Sequence, residues 1–281
     1  MAIKIIRGEN VLDAQREQRA RLAPFARRLG PGCLPSRLKT LSYPWVAAAE
    51  DYFTPIPRSQ WKTLIEQQTS PFLDQLRGED LPPHDQGNTN YCWAHGTVRT
   101  VEIESLYQTG IAQLYSAESI GVPVTGGRNR GGTPEEALSR LRSHGACRQE
   151  LWPRNELSTR LWTPEVETDA LRHRILRFLR VDSWDMQITL AFLRFPVAIG
   201  LRWWGHLVAQ LSPVILPDGE IGIGCDNSWG ADYGENGYFA LTEDTGTADL
   251  GAVAPLSVTW QTHVTAQPLL AQYCRNLEQL A

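Results

Sequence analysis

An α+β fold of two lobes around a cleft is expected from three features of this chain. It is 281 residues long with 42% hydrophobic content, enough for one large core or two. Helical spacing dominates after residue 91, where Trp93, Ala94, Val98, Val101 and Leu106 recur before a stop at Gly110. Further on, the apolar runs that follow His206 and precede Asn227 read as buried strands. Helices in one part and strands in another predict segregated layers. The left lobe, about 85–175, is expected to be mainly helical. The right lobe, about 176–260, is expected to be an antiparallel sheet or barrel, followed by a C-terminal helix at about 266–281.

The first element is a basic N-terminal extension, residues 1–50. Residues 1–40 carry nine Lys/Arg and three Asp/Glu, a net of +6, so with −4 overall residues 41–281 hold −10. Within it, NVLDAQREQRARLAPFARRLG reads as an amphipathic helix interrupted at Pro24 and stopped by Gly30, Pro31 and Gly32. The charge contrast predicts that this arm contacts the chain's own acidic body or an outside partner. Exposed ion pairs contribute only about 0–1 kcal/mol each, so Leu22, Phe25 and Leu29 would have to anchor it. From Ser42 to Pro83, prolines and aromatics alternate (SYPW, YFTPIPRSQW, LPP) and predict ordered coil wrapping a surface.

Composition excludes several classes. No apolar run is long enough to span a bilayer, and MAIKIIRGEN has no signal-peptide h-region. The five cysteines are odd in number, scattered and never spaced CxxC, which argues against a zinc ribbon and a secreted disulfide scaffold. These features predict a cytoplasmic or otherwise reducing compartment. A net charge of −4 argues against nucleic acid as the partner of the whole chain. No metal-ligating cluster or cofactor motif is visible. GGRNRGG at 126–132 is not a phosphate loop, because no strand–helix frame or Lys-Ser/Thr follows it.

The chemistry centres on Cys92. The polar, turn-prone stretch DQGNTNYC runs directly into helix, which places this thiol at a helix N-terminus. There the unpaired backbone N–H groups and the helix dipole favour thiolate over thiol. A free cysteine is otherwise most often a small buried hydrophobe, and Cys33, Cys147, Cys225 and Cys274 have that context. His206 opens an apolar strand, and Asn227 follows another. A thiol nucleophile needs a base and a group that orients the base, and Cys92, His206 and Asn227 supply these types. His84 and His95 lie closer in sequence to the thiol. His95 reads as a pocket or core residue.

These stretches resemble the papain-like cysteine peptidases. Gln86-Gly87 and Cys92-Trp93-Ala94 align without a gap to that family's glutamine and cysteine block. Gly131-Gly132-Thr133-Pro134 resembles the segment lining its substrate cleft, and His206-Leu207-Val208-Ala209 its histidine strand. Asn227-Ser228-Trp229-Gly230 with Gly234-Glu235-Asn236-Gly237-Tyr238 is nearly verbatim. The likeness covers roughly residues 85–250. Thr89 and the Asn129 region stand where the family has a disulfide pair, Leu250 replaces another cysteine, and Tyr91 replaces a small residue before the nucleophile.

The resemblance implies a protein or peptide substrate and no cofactor. Cys92 would attack, His206 would protonate the leaving amine, Asn227 would orient His206, and Gln86 would help form the oxyanion hole. Gly131, Gly132, Pro134, Trp204, Leu207 and Trp229 would contact substrate. By the same resemblance Pro134, Gly200, Trp204 and Leu207 would line the pocket for the residue two before the scissile bond; none is acidic, so an apolar residue is expected there and Arg should be poor. Two other readings stay open: a non-catalytic binding component of a larger assembly, and an isopeptidase or acyl transferase of the same chemistry. The arm would be an inhibitory pro-segment or a permanent brace.

Overall fold

The computed structural model describes residues 3–22, 31–40, 43–67, 81–256 and 272–275. Pro24, Phe25, Leu29 and most of the expected C-terminal helix lie outside the described residues, as does the side chain of Leu22. In chain order the elements are β1 (Lys4–Ile6), α1 (Val11–Leu22), β2 (Val46–Ala48), α2 (Arg58–Gln67), α3 (Cys92–Thr109), α4 (Glu118–Thr125), α5 (Pro134–Ser143) and α6 (Pro164–Leu171). They continue with β3 (Arg177–Arg180), α7 (Trp184–Phe192), β4 (Val197–Leu201), β5 (His206–Ile215), β6 (Ile221–Asp226), β7 (Tyr238–Leu241), α8 (Glu243–Gly246) and β8 (Gly251–Leu256).

The expected α+β layering is present. The helix expected after residue 91 is α3, and Gly110 ends it in the left-handed region (φ 70°), its N–H bonding the Leu106 carbonyl. Every residue from 92 to 104 is buried, so α3 is an internal helix rather than a surface one. It crosses β5 at Gly96, where a β-carbon would overlap the Leu207 side chain. On the other side, α5 starts with Pro134 at its first turn and a capping box between Thr133 and Glu136.

The right lobe is an open sheet rather than a barrel, in the order β1-β7-β6-β5-β4-β8-β3-β2 among the described residues. Its inner pairings are antiparallel. Both outermost pairings are parallel, and both outermost strands come from the N-terminal arm. β5 is covered on both faces: Val208 joins a core with α7, Phe195 and Phe239, and Leu207 joins a second with Trp93, Val98 and Leu138. A strand buried on both sides reads as a continuous apolar run, the pattern that follows His206.

One expectation fails locally. The coil read over 42–83 contains β2 and α2. Trp61, Leu64 and Ile65 follow i, i+3, i+4 spacing and pack on the right-lobe core. Pro55 and Pro57 read as breakers, yet Pro57 immediately precedes the first helical residue and accepts from the Gln60 N–H.

Candidate active site

Cys92 is the first residue of α3, and the preceding Tyr91 fixes the turn that delivers it. The Tyr91 hydroxyl bonds Thr125 Oγ1 at 2.5 Å and the Arg128 carbonyl at 3.1 Å. Its ring fills the space beside Gly121, so a large residue is accommodated before the thiol. Trp93 is fully buried, and a β-carbon at Gly132 would lie 2.4 Å from its ring. The glycine pair therefore approaches the helix start because it carries no side chain.

Three separate segments meet here. Gln86 donates from its side-chain amide to the Thr89 carbonyl (2.6 Å) and accepts from Ser228 Oγ (2.6 Å). Its backbone N–H bonds the Ser228 carbonyl, and Gly230 N–H bonds the His84 carbonyl, zipping the loop before Cys92 to the segment after Asn227. His206 Nε2 lies 2.8 Å from Asn227 Oδ1. With Nε2–H donating to that oxygen, Nδ1 keeps the free lone pair. The rings of Trp204 and Trp229 lie 4.8 and 4.9 Å from the imidazole and exclude water from this pair. The backbone N–H of Leu207, next to His206, reaches the Cys92 thiol.

The cleft over the thiol is filled by the chain itself. Residues 31–38 form a strap between its walls. Cys33 N–H donates to the Gly205 carbonyl (2.9 Å), Leu34 N–H to Gly132 (2.9 Å), and Gly132 N–H to the Gly32 carbonyl (3.1 Å). Cys33 pairs with Gly132 as an isolated parallel bridge, and Ser36 N–H bonds Leu250. Gly32 passes directly above the nucleophile: a β-carbon there would lie 2.6 Å from Cys92 Sγ. The Gly32 carbonyl faces the Gly132 N–H, so it is turned toward the cleft wall.

This cover reverses the electrostatic expectation for the thiol. Burial pushes Cys92 up to about 12, more than the nearby backbone N–H groups offset. Burial also pushes His206 down to about 4, against the bond from Asn227. Desolvation of both groups outweighs the helix dipole, so thiol and imidazole are neutral in this closed form.

The six expected substrate contacts divide between two places. Gly131 and Gly132 line the strap, with Pro134 next to Gly251, and Leu207 lies in the core cluster that includes Cys33. Trp204 and Trp229 belong to the aromatic wall around His206. Gly200 abuts the Cys33 thiol. Burial raises the Cys33 thiol well above its usual range. Glu135 accepts from the Arg37 N–H of the strap.

A buried polar network beneath the site was missed. His84 Nε2 lies 2.9 Å from both Glu102 oxygens, and His84 Nδ1 lies 2.9 Å from His95 Nδ1. Arg99 donates to Asp226 (2.7 Å), Glu102 (3.1 Å) and the Leu81 carbonyl (2.9 Å). Burial opposes charge on Glu102, yet His84 and Arg99 hold it below the usual range. Burial dominates at Asp226 and raises it. His95 is a core residue here, kept neutral by burial and by His84. The network joins the Gln86 loop, α3 and β6, whose last residue, Asp226, precedes Asn227. Its sequence signal was Arg99 and Glu102 on a helix that also carries the apolar positions Trp93, Ala94, Val98, Val101 and Ile103. Arg99→Ala strands two buried carboxylates and is expected to cost about 3–5 kcal/mol in chemical denaturation. An unchanged midpoint would mean the network is solvated.

No family model matches the chain, and no curated protein matches it in sequence. Solved structures do match. Procathepsin L 3 of Tenebrio molitor larval midgut is 16% identical, covering 86% of this chain and 78% of that one, with a TM-score of 0.59. Xylellain, a cysteine protease from Xylella fastidiosa, is 18% identical over 75% of this chain and 93% of its own, with a TM-score of 0.55. The proform of Amb a 11, a ragweed pollen cysteine protease, is 19% identical over 63% of this chain, with a TM-score of 0.53. The match spans about three-fifths of that proform, 61%. At these identities the likeness establishes the architecture alone: the chain has the α+β fold of papain-like cysteine proteases.

Proposed function

We propose that the chain is a latent cysteine peptidase whose cleft is closed by its own N-terminal strap. The observation that carries this is the convergence of Cys92, the His206–Asn227 pair and Gln86 on one cleft from three parts of the sequence. The strap supports the substrate class. It is itself a peptide main chain, hydrogen-bonded to Gly132 on one wall and Gly205 on the other.

With the strap displaced, both groups are rehydrated and the proton passes from Cys92 to His206. The thiolate attacks a peptide carbonyl, forming an S–C bond while negative charge gathers on the oxygen. The Cys92 backbone N–H and the Gln86 amide would stabilise that oxygen, a donor of this kind contributing about 3 kcal/mol. His206 gives its proton to the departing amine as the C–N bond breaks. Water, deprotonated by His206, then hydrolyses the thioester and restores the thiol. Asn227 holds the imidazole orientation throughout.

Opening moves a proton from Cys92 to His206 and takes none from solvent, so the closed–open balance should be flat between pH 7 and 4.5. Hydrogen exchange at the Cys33 and Leu34 amides, corrected for intrinsic rates, should show equal protection at both. Protection lost on acidification would mean that the open form holds a separate thiol and imidazolium, contradicting the proton transfer. Turnover of a peptide library by strap-displaced protein tests the activity itself, and no cleavage of any member would reject it.

A further inference from the structure

The N-terminal arm has two parts with different contacts. Residues 31–38 span the cleft, bonding Gly132 on one side and Gly205 on the other. Among the described residues, residues 4–22 pair with and pack on the right lobe. β1 extends the sheet in register Lys4 to Phe239, Ile5 to Ala240 and Ile6 to Leu241. Ile6 is 1% exposed within the right-lobe core, and its carbonyl accepts from Thr245 Oγ1 at 2.7 Å. Gly8 N–H bonds Asp244 (2.9 Å), and Arg7 pairs with Asp218 and Glu220.

The same part backs the wall around His206. Trp203 stacks on Trp204 with centroids 5.0 Å apart, and Trp229 packs on Tyr233 at 5.0 Å. Each outer member of this wall is held by the arm. Gln15 donates to the Trp203 carbonyl, and Arg21 donates to the Trp229 carbonyl (2.8 Å) with its guanidinium over the indole. Lys4 lies over the Tyr233 ring at 4.3 Å. Without residues 4–22, β7 would become a bare edge and these aromatics would face water.

Resting on the peptidase reading, we propose that β1 and α1 are a permanent part of the working enzyme, positioning the aromatic wall over His206. Only the strap leaves the cleft. Activation is then a local displacement or excision, and the first twenty or so residues stay bound as the edge of the sheet. Gln15 and Arg21 are positioning residues, acting on His206 through Trp203, Trp204 and Trp229.

The test excises the strap alone. A site-specific protease sequence is inserted in the full chain between residues 22 and 31, and another at the exposed Lys39–Thr40 turn. After cleavage, the N-terminal fragment should co-elute with the body in size exclusion and appear with it in native mass spectra. In that two-piece protein, Gln15→Ala with Arg21→Ala should lower kcat about tenfold with little change in KM. It should also shift the pH dependence of Cys92 alkylation, which a merely structural contact would not move. Loss of the fragment with turnover kept or raised would overturn the inference, as would an unchanged kcat and pH profile in the double variant. Should no peptide be cleaved in any form, the peptidase reading fails. Fragment retention and the alkylation profile would still decide the role of residues 4–22.

Discussion

Cys92→Ala and His206→Ala, each made in strap-excised protein, are expected to lower kcat/KM on a fluorogenic peptide by about four to six decades. That is a loss of about 5–8 kcal/mol of transition-state stabilisation. The two losses should not add, because thiolate and imidazolium form by one proton transfer. Removing either partner removes the attacking species. Asn227→Ala should leave measurable turnover, since it loses only the 2.8 Å bond that orients the ring, while Trp204 and Trp229 still confine it. Full turnover in Cys92→Ala would end the assignment of the nucleophile.

Gly32→Leu, in the otherwise intact chain, is expected to have the largest effect in the opposite direction. A leucine at this position would project into Cys92 Sγ, with Asn90 Oδ1 and the Gly205 carbonyl closing the remaining space. The strap cannot keep its path with that side chain. Three main-chain hydrogen bonds hold residues 32–34 in the cleft, at about 1 kcal/mol net each. Losing them shifts the closed–open balance by about 3 kcal/mol, or roughly two decades. Alkylation of Cys92 at neutral pH should rise by about that factor. Gly32→Ala should do less but in the same direction. Unchanged alkylation in both variants would show that the strap does not limit access.

The parts of this site legible in the sequence were those encoded over a few residues. Gln86, Cys92 and the stretch from Asn227 to Tyr238 each lie in a short block whose turn and helix signals are local. The structure brings these blocks into one cleft. The strap was not legible, because its pairing partners at 132, 205 and 250 are remote in sequence. Gly30, Pro31 and Gly32 read as a helix stop, and nothing local says that Gly32 lies over a thiol 60 residues further on. β1 and β2 escaped for a related reason: three-residue edge strands carry too little alternation to register. The charge contrast points to contacts of the arm with the body or an outside partner through ion pairs, and the arm's contacts on the body are mostly of another kind. The ion pairs of Arg7 are exposed, whereas Ile6, Ala14 and the contacts to Trp203, Trp229 and Tyr233 are buried or aromatic. The network of His84, Arg99, Glu102 and Asp226 was hidden by its composition. Charges on a helix ordinarily mark a solvated face, and here every one of them is inside.

Strap-excised protein treated at pH 6 with a haloacetamide, then mapped by mass spectrometry, tests the central claim most directly. At that pH an ordinary thiol is almost wholly protonated and unreactive. Cys92, freed from its cover and paired with His206, should be modified at least tenfold faster than Cys147, Cys225 or Cys274, and His206→Ala should abolish the difference. Equal modification of all the cysteines, or none at Cys92, would contradict the account and leave the cleft as a docking groove.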